Sequence, residues 1–371
     1  MALRGSVAAL AVLLAGACVT TGGSPEPSPT VDGVPELASL AERAAHTATP
    51  FDGSALIVGG CVSDGCSEAT SSVVSVTAEG TVTIRPELLS PRDGHVAAAL
   101  ADGSVLVVGG FSGEGEPALA TAETLGPQAD AWQPTEPLQV GRGGHAAAAL
   151  GDGRVLVAGG WIGSQTYTDS TEIYDPTTRS FVRGPNLPRA VDGLAAASLP
   201  DGSVLIAGGQ IRPEVATGAA ALVEPDGTLR QVRPLRHPRF KHAMVALPTG
   251  EVLVIGGTDD DHRLLTSTEV FDPSTHTFRD GPSLANGRYK LSGAAAALPD
   301  GRVIAAGGGS GVELIDLSAG TSRTVRTGTM DQVWASFSTV SVLPDQILLL
   351  GGYDQRINLT GLHQLLPIDQ L

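Results

Sequence analysis

Three segments of the sequence carry side chains that could bind a ligand, and the first is aromatic. Trp161, Gln165 and Tyr167 lie close together in one short polar segment. Aromatic rings can stack on a sugar ring or on a peptide side chain. The alternative is that both rings pack within their own loop. We treat these three residues as candidate ligand contacts.

The second segment is acidic and contains Asp259, Asp261 and His262. Carboxylate oxygens are the ligands that Ca²⁺ prefers in proteins, so a calcium site is one hypothesis for this segment. A solvated acidic loop needs no metal and is the simpler interpretation. We therefore keep these residues as candidate binding residues, and the sequence predicts no metal site.

The third set lies near the end of the chain and consists of Trp334, Tyr353 and Arg356. An indole, a phenol and a guanidinium can add aromatic and charged contacts to a shared binding patch. None of the three segments has the arrangement of a catalytic constellation. The sequence therefore predicts no catalytic residue and no cofactor.

The charge of the chain restricts its partners. Lys and Arg number 23 against 39 for Asp and Glu, which gives a formal net charge of −16. Such a chain repels phosphate backbones and anionic lipid headgroups, so nucleic acid is excluded as an expected partner. Lys241 and Lys290 are the only lysines. At this stage we attribute their rarity to a GC-rich coding bias.

The first residues have the composition of an export signal. Arg4 precedes an apolar stretch that ends in small residues, and this stretch is too short for a permanent membrane span. The run Leu14-Ala15-Gly16-Ala17-Cys18 resembles the lipobox of bacterial lipoproteins, although Ala15 stands where Leu is usual. The alternative is an ordinary cleavage site with an incidental cysteine.

That resemblance implies a signal peptide over residues 1–17 and lipidation of Cys18. Residues 18–29 are rich in Gly, Ser and Pro, so we expect a flexible tether. Val19 is not a retention aspartate, which favours the outer membrane over the inner one by resemblance to enteric sorting. The expected location is the bacterial cell envelope, through the lipid anchor, or the exterior as a secreted protein.

Two further cysteines, Cys61 and Cys66, lie in one polar loop. A metal or redox site would need further His or Cys nearby, and the residues between them supply none. In an oxidising compartment the two thiols are expected to pair. The sequence therefore predicts a disulfide that braces this loop.

An apolar run that ends in Gly-Gly recurs along the chain and defines a repeat. The spacings between successive doublets are 50, 50, 49, 48, 51 and 44 residues. The first glycines of the doublets are Gly59, Gly109, Gly159, Gly208, Gly256, Gly307 and Gly351. A period near fifty indicates a repeat architecture in which each unit packs on its neighbours.

Each repeat predicts four short antiparallel strands. In the third repeat, an alanine-rich run and the apolar run at 154–158 are joined by Asp152-Gly153, which is typical of a hairpin turn. Residues 171–175 form the third predicted strand and end before Pro176, because proline cannot donate to a strand ladder. Residues 180–183 form the fourth. Four such strands make one blade of a propeller.

The glycine doublet, a Tyr/Phe-Asp-Pro third strand and an Arg-x-x-His element together resemble kelch repeats over residues 30–371. The Arg-x-x-His element recurs at Arg43/His46, Arg92/His95, Arg142/His145 and Arg239/His242. Because it recurs from blade to blade, we expect it to brace neighbouring blades by hydrogen bonds and not to perform catalysis. Blades four, six and seven depart from it, with Asp192 or Leu291 near the histidine position.

The resemblance implies an all-β fold, a seven-bladed kelch-type β-propeller. After Gly351-Gly352 the chain has room for one more strand, near 362–366, which leaves the last blade one strand short. Residues 30–37 read like 277–284, so we predict that Val31 to Val34 supply the outer strand of blade seven. This N-terminal strand would complete the last blade and close the ring.

The resemblance also implies that ligands meet the face where the loops between strands two and three and between blades gather. The first hypothesis is a monomeric, non-enzymatic binding module for a protein or a glycan at the cell envelope. The alternative is a carbohydrate-active kelch enzyme, mutarotase-like or, less well supported, galactose-oxidase-like. The copper site of galactose oxidase needs a cysteine crosslinked to tyrosine, whereas Cys61 and Cys66 share one loop. A purely structural role in the envelope is a third possibility.

Overall fold

The computed structural model describes residues 40, 42–164, 166–325, 334–336 and 338–371. These residues lie in one compact unit and form almost exclusively β-strands. Two short 3-10 turns, Asp64–Cys66 and Ile368–Gln370, are the named helical segments. None of the helices in this part of the chain is long and apolar enough to cross a membrane.

Each repeat forms one antiparallel sheet, or blade, whose main strands pair in chain order. Blade 1 contains β1 (Thr47–Phe51), β2 (Ser54–Val58), β3 (Val73–Val76) and β4 (Val82–Arg85). Blade 2 contains β5 (Val96–Ala99), β6 (Val105–Val108), β7 (Ala122–Leu125) and β8 (Gln133–Pro134). Blade 3 contains β9 (Ala146–Ala149), β10 (Val155–Ala158), the hairpin of β11 (Trp161–Gly163) and β12 (Thr166–Tyr167), β13 (Thr171–Asp175) and β14 (Ser180–Arg183).

The remaining four blades follow the same plan. Blade 4 contains β15 (Ala195–Ser198), β16 (Val204–Ala207), the hairpin of β17 (Gln210–Arg212) and β18 (Val215–Ala216), β19 (Ala220–Val223) and β20 (Leu229–Gln231). Blade 5 contains β21 (Ala243–Ala246), β22 (Val252–Ile255), β23 (Thr268–Asp272) and β24 (Thr277–Asp280). Blade 6 contains β25 (Ala295–Ala297), β26 (Val303–Ala306), β27 (Gly309–Ser310), β28 (Val312–Asp316) and β29 (Thr321–Val325). Blade 7 contains β30 (Trp334–Ala335), β31 (Thr339–Val342), β32 (Gln346–Leu350) and β33 (His363–Pro367), and β30 pairs with β27 of blade 6.

The core is divided into seven apolar clusters, each between two adjacent blades. The second strands, such as β6 and β10, are buried along their whole length because a neighbouring sheet covers each of their faces. The cluster between blades 7 and 1 includes Ile57 of β2 and Leu348 of β32. The ring is therefore closed, and the predicted all-β, seven-bladed propeller is confirmed.

A buried arginine lies at the contact with the neighbouring blade in five blades, as Arg43, Arg92, Arg142, Arg239 and Arg288. The Arg142 guanidinium donates hydrogen bonds within blade 3, to Gly159 O at 2.9 Å and to Glu172 Oε1 at 2.9 Å. The Arg142 carbonyl accepts a hydrogen bond from Gly110 N of blade 2 at 2.9 Å. The Arg142 side chain thus braces its own blade, and its backbone carbonyl binds the neighbouring blade; in blade 4 the carbonyl of Val191 makes the same contact, accepting from Gly160 N at 2.8 Å. Arg288 does the same in blade 6, accepting from Gly257 N at 2.7 Å, although Leu291 replaces the histidine there.

The glycine doublets are the other half of the same contact. A Cβ atom on Gly109 would lie 2.4 Å from Arg142 O and 2.8 Å from His145 Cε1 of the next blade. Real Cβ atoms do not approach other atoms so closely, so only glycine lets the Arg-x-x-His segment pack here. Because Gly109 has no Cβ atom, the Arg-x-x-His segment of the next blade can approach it closely.

Several sequence predictions fall outside the described residues. These are the signal peptide, Cys18, the tether and the strand predicted for Val31 to Val34. Blade 7 shows three paired main strands, β31, β32 and β33, within the described residues. One detail is corrected: Leu194, not Asp192, directly precedes the innermost strand of blade 4 and takes the place of the histidine.

Candidate functional site

The innermost strands of blades 1 to 6 line a central funnel of about 690 Å³, and blade 7 contributes Tyr353. This volume lies within the range of about 300–1,000 Å³ that small-molecule sites occupy. The wall consists largely of alanines from the innermost strands, such as Ala97, Ala147 and Ala196. Small side chains near the axis leave the centre open. The connections between blades supply its charged groups, and the segments between second and third strands supply Phe111, Trp161, Tyr167 and Tyr353.

One side of the funnel is aromatic. Phe111 and Trp161 lie with ring centroids 5.0 Å apart and planes inclined by 59°. Trp161 pairs with Tyr167 across the β11–β12 hairpin, so both side chains face the funnel. Phe111 lies flat against Gly143, where a Cβ atom would be 2.2 Å from the ring. All three aromatic side chains line the funnel, and a sugar ring can stack on faces of this kind.

Two carboxylates line the funnel at equivalent positions of blades 2 and 4, Asp93 and Asp192. Burial raises the pKa of Asp93 to about 6. Burial also raises the pKa of Asp192, while a 2.9 Å hydrogen bond from Gln210 Nε2 to its Oδ2 acts in the opposite direction. Burial and the charge of Asp192 raise the pKa of Tyr167 to about 12. The acidic and aromatic groups therefore lie close together.

The chain's two lysines, Lys241 and Lys290, line the same funnel. Burial lowers the pKa of Lys241, whereas the charge of Asp192 acts to raise it. Burial and then the charge of Lys241 lower the pKa of Lys290 to about 8. The two ammonium groups thus interact with each other in adjacent blades.

Both lysines adopt a left-handed backbone conformation, with φ of +55° at Lys241 and +54° at Lys290. Blades 2, 3 and 4 place glycine at this position, as Gly94, Gly144 and Gly193. A side chain in this region costs on the order of 1 kcal/mol relative to glycine. The funnel therefore carries lysines where the backbone favours glycine.

Hydrogen bonds between blades explain why this conformation is kept. Gly94 N donates to Ala45 O at 3.1 Å, Gly144 N donates to Gly94 O at 3.1 Å, and Gly193 N donates to Gly144 O at 3.4 Å. Lys241 N continues the series by donating to Gly193 O at 2.7 Å. The left-handed residues thus form a chain of peptide hydrogen bonds around the funnel, and Lys241 is part of it.

The four histidines of the Arg-x-x-His elements form part of the inner wall and are neutral at physiological pH. Burial, with a smaller contribution from the charge of Arg142, lowers the pKa of His145 to about 3. His242 has the same shift for the same reasons. His46 Nε2 lies 2.8 Å from Thr339 Oγ1 of the adjacent blade. His95 Nε2 lies 3.0 Å from Thr47 Oγ1 of the preceding blade, whereas both ring nitrogens of His145 and of His242 are buried without a hydrogen-bond partner. With such low pKa values, the rings of His145 and His242 are not acids near neutral pH.

The structure brings together three of the predicted binding residues. Trp161, Tyr167 and Tyr353 line the funnel. Trp334 does not line it and packs against Tyr289, with ring centroids 6.2 Å apart. Arg356 is exposed and also lies outside the funnel lining. Gln165 lies outside the described residues.

The predicted acidic loop is separate from the funnel. Arg263 lies 2.9 Å from an oxygen of Asp259 and 2.8 Å from one of Asp261. His262 Nε2 is 3.4 Å from Glu214 Oε2. These ion pairs join the acidic side chains of the loop to neighbouring basic side chains. They support the interpretation of this segment as a solvated acidic loop.

The predicted disulfide between Cys61 and Cys66 is present. Cys61 is fully buried, and Cys66 lines the funnel beside Tyr353. The two sulfurs and Asp93 form the one close group of possible metal ligands found among the described residues. Because both sulfurs are joined in the disulfide, this group is not a thiolate site.

Sequence analysis missed four charged residues of the funnel, which are Asp93, Asp192, Lys241 and Lys290. They lie in the connections between blades, and the candidate residues were sought in the loops between the second and third strands. A signal was present in the sequence. Aligned on the repeats, Lys241 and Lys290 stand where blades 2, 3 and 4 have glycine, and Asp93 and Asp192 stand at one variable position.

Comparison with known proteins agrees with the architecture. The Kelch motif family matches residues 142–188 and 239–285, which correspond to blades 3 and 5. No curated protein matches the chain. A solved structure, that of YjhT, superposes with a TM-score of 0.61 at 13% identity and covers 77% of this chain and 98% of its own. Such a likeness concerns the fold: the chain is a seven-bladed β-propeller, and its blades 3 and 5 match the Kelch motif.

Proposed function

We propose that this propeller is a non-enzymatic binding module that recognises a glycan in its central funnel. The observation that carries this proposal is the convergence of Phe111, Trp161 and Tyr167 with charged groups around one cavity of about 690 Å³. Binding sites for small ligands combine a mostly apolar concave surface with a few polar groups that fix orientation. The funnel has both features.

The chemistry of the lining suits a sugar. Aromatic faces bind the apolar faces of pyranose rings, and the carboxylates Asp93 and Asp192 can accept hydrogen bonds from hydroxyl groups. A folded protein partner would need roughly 800 Å² of surface on each side, which a narrow concave cavity does not offer. A monosaccharide or the end of a glycan chain fits the volume better.

A calorimetric titration of the purified protein against a panel of mono- and disaccharides tests this proposal. We expect a sugar to bind, and we expect Trp161→Ala to weaken it roughly tenfold because the stacking surface is lost. Trp334→Ala is the matched control, since Trp334 is a half-buried tryptophan outside the funnel lining. Equal losses in both variants, or no binding by any sugar, would contradict the proposal.

A second candidate function is sugar anomerisation, and one observation favours it. Burial raises the pKa of Asp93 to about 6, so its carboxyl can both give and take a proton near neutral pH. Proton exchange at the ring oxygen and the anomeric hydroxyl is what ring opening requires. NMR exchange measurements would show acceleration by the protein that Asp93→Asn removes. If the interconversion rate with protein equals that in buffer, this second function is wrong.

We also propose that the protein is exported, lipidated at Cys18 and held at the cell envelope as a monomer. The support is the lipobox-like run that ends at Cys18 and the tether that follows it. An acyl chain buries many methylene groups, each contributing roughly 0.8 kcal/mol, so several chains hold a protein firmly to a membrane. We expect Cys18→Ser to move the protein from the membrane fraction to the soluble one. Unchanged fractionation would exclude the anchor.

A further inference from the structure

The disulfide loop of blade 1 places two sulfurs beside a carboxylate of blade 2. Cys61 and Cys66 are five positions apart, which is the upper end of the spacing typical of paired zinc ligands. Their sulfurs and one carboxylate oxygen of Asp93 lie within 4.8 Å of one another. In the oxidised protein the sulfurs are bonded to each other. Reduction would turn the same pair into two thiolates beside a third ligand.

The Asp93 carboxylate is buried without a partner. The residue is 8% exposed, and among the described residues its carboxylate forms no hydrogen bond and no ion pair. Asp192, at the equivalent position of blade 4, instead accepts a hydrogen bond from Gln210 Nε2 at 2.9 Å. A buried carboxylate is normally paired or binds a metal. A cation held between Asp93 and the two sulfurs would supply the missing partner.

Backbone hydrogen bonds hold the three residues in place without help from the disulfide. Cys61 N donates to Ala44 O at 2.8 Å. Asp93 N donates to Phe111 O at 2.9 Å, and Cys66 N donates to a carbonyl of its own loop at 3.1 Å. Two thiolates bound to one zinc ion at about 2.3 Å lie about 4 Å apart. Small movements of the side chains therefore suffice to bind the ion once the disulfide is open.

The arrangement leaves one coordination position open to the funnel. Cys66 and Asp93 line the funnel, whereas Cys61 is fully buried. Structural zinc sites have four protein ligands, and sites with three protein ligands keep the fourth position for water or a ligand. A cation bound here would face the cavity.

We propose that Cys61, Cys66 and Asp93 form a zinc site that opens when the disulfide is reduced. Two thiolates with one carboxylate favour Zn²⁺ over Ca²⁺ and Mg²⁺, which prefer oxygen ligands only. The sequence showed no third ligand near the cysteines, because Asp93 comes from the next blade. Zinc binding here is independent of the proposed glycan binding, and Asp93 stays available to a sugar while the disulfide is closed.

Opening the site requires two electrons from an external dithiol. A thiolate of the dithiol attacks Sγ of Cys66, which lines the funnel, and Sγ of Cys61 leaves as a thiolate. The second thiol of the reductant then displaces Sγ of Cys66. The reductant ends as a disulfide and the protein as a dithiol. Binding of Zn²⁺ replaces the protons of both cysteine thiols, which pass to the solvent.

Titration of Co²⁺ and then Zn²⁺ into the oxidised and the dithiothreitol-reduced protein, freed of reductant without air, tests the zinc site. We expect a cobalt–thiolate absorption band after reduction only, and we expect Zn²⁺ to abolish it because zinc binds more tightly. Asp93→Asn should weaken Zn²⁺ binding at least tenfold. Asp192→Asn is the matched control and should leave Zn²⁺ binding unchanged, since no cysteine lies in that group.

Thermal melts keep the test decisive if reduction lowers the stability of the protein. Zn²⁺ that binds the folded state should raise the melting temperature of the reduced protein and not that of the oxidised one. A reduced protein with neither a cobalt–thiolate band nor a zinc-dependent rise in melting temperature would contradict the zinc site. Equal Zn²⁺ affinity of the reduced wild type and the reduced Asp93→Asn variant would contradict it as well, because Asp93 would then not be a ligand.

Discussion

The arginines between blades and the lysines of the funnel carry the same charge in two different settings. Arg142 is fully buried, is paired with Glu172 and has counterparts in other blades. Lys241 and Lys290 are half-buried, line a cavity and stand where blades 2, 3 and 4 have glycine and blade 1 has Ala45. The difference teaches that repeated residues hold this ring together, whereas residues that break the repeat are the ones available for a ligand.

The largest effect is expected from breaking one of the braces. Glu172→Ala leaves the Arg142 guanidinium buried without its carboxylate, which should cost about 3–5 kcal/mol in the free energy of unfolding. Denaturant unfolding measures this change. The control is Glu251→Ala, because Glu251 pairs with Arg279 at 2.7 Å on the surface and should contribute about 1 kcal/mol or less. Similar losses in both variants would contradict the role of the brace.

The next effect concerns the pH dependence of the inner wall. His242 has its pKa lowered to about 3 by burial, followed by the charge of Arg239. The unfolded chain binds a proton near pH 6.5, so the folded state loses stability as the pH falls below that value towards 3. From pH 8 to pH 5 this histidine should cost about 2 kcal/mol.

His242→Leu should remove that part of the acid lability, since blades 4 and 6 already use Leu194 and Leu291 at this position. Thermal melts of both proteins at pH 8 and pH 5 give the comparison. We expect the variant to lose less stability than the wild type between these values. An identical loss in the two proteins would show that the ring of His242 does not titrate as its burial implies.

A smaller effect of opposite sign is expected at the funnel. Lys290→Gly should stabilise the folded protein by up to about 1 kcal/mol, because glycine adopts the left-handed conformation more readily. Denaturant unfolding of the wild type and the variant measures this change. If Lys290→Gly lowers the free energy of unfolding instead, Lys290 has a structural role. The contrast between the arginines at the blade contacts and the lysines of the funnel would then be wrong.

The smallest effect is expected at the acidic loop of blade 5. Asp259 and Asp261 both contact Arg263 at the surface, and such pairs contribute about 1 kcal/mol or less. Asp261→Ala should leave sugar binding unchanged, and millimolar Ca²⁺ should not shift the melting temperature. A calcium-dependent rise in that temperature, lost in the variant, would reinstate this loop as a metal site.

Most of the fold could be predicted because its determinants repeat. The glycine doublets gave the number and spacing of the blades, and the predicted strands at 171–175 and 180–183 coincide with β13 and β14. Proline and Asp-Gly mark strand ends through local backbone chemistry, which a single sequence displays directly. The strand predicted for Val31 to Val34 remains a prediction.

The site could be predicted only in part. Which side chains meet at the propeller axis depends on how the seven blades are arranged, and local sequence does not show that arrangement. Trp161, Tyr167 and Tyr353 were identified as aromatic residues in variable loops, and the structure places all three at the funnel. Lys241 and Lys290 were attributed to coding bias, since a left-handed backbone is invisible in a sequence without its structure. The funnel explains their position better than composition does.

A crystal structure of the protein soaked with the sugar that binds most tightly in calorimetry addresses the role of the funnel most directly. We expect the sugar in the central cavity, with its ring against Trp161. Ordered sugar on the outer loops, or an empty funnel at a concentration that saturates binding in solution, would contradict the assignment of the funnel as the binding site.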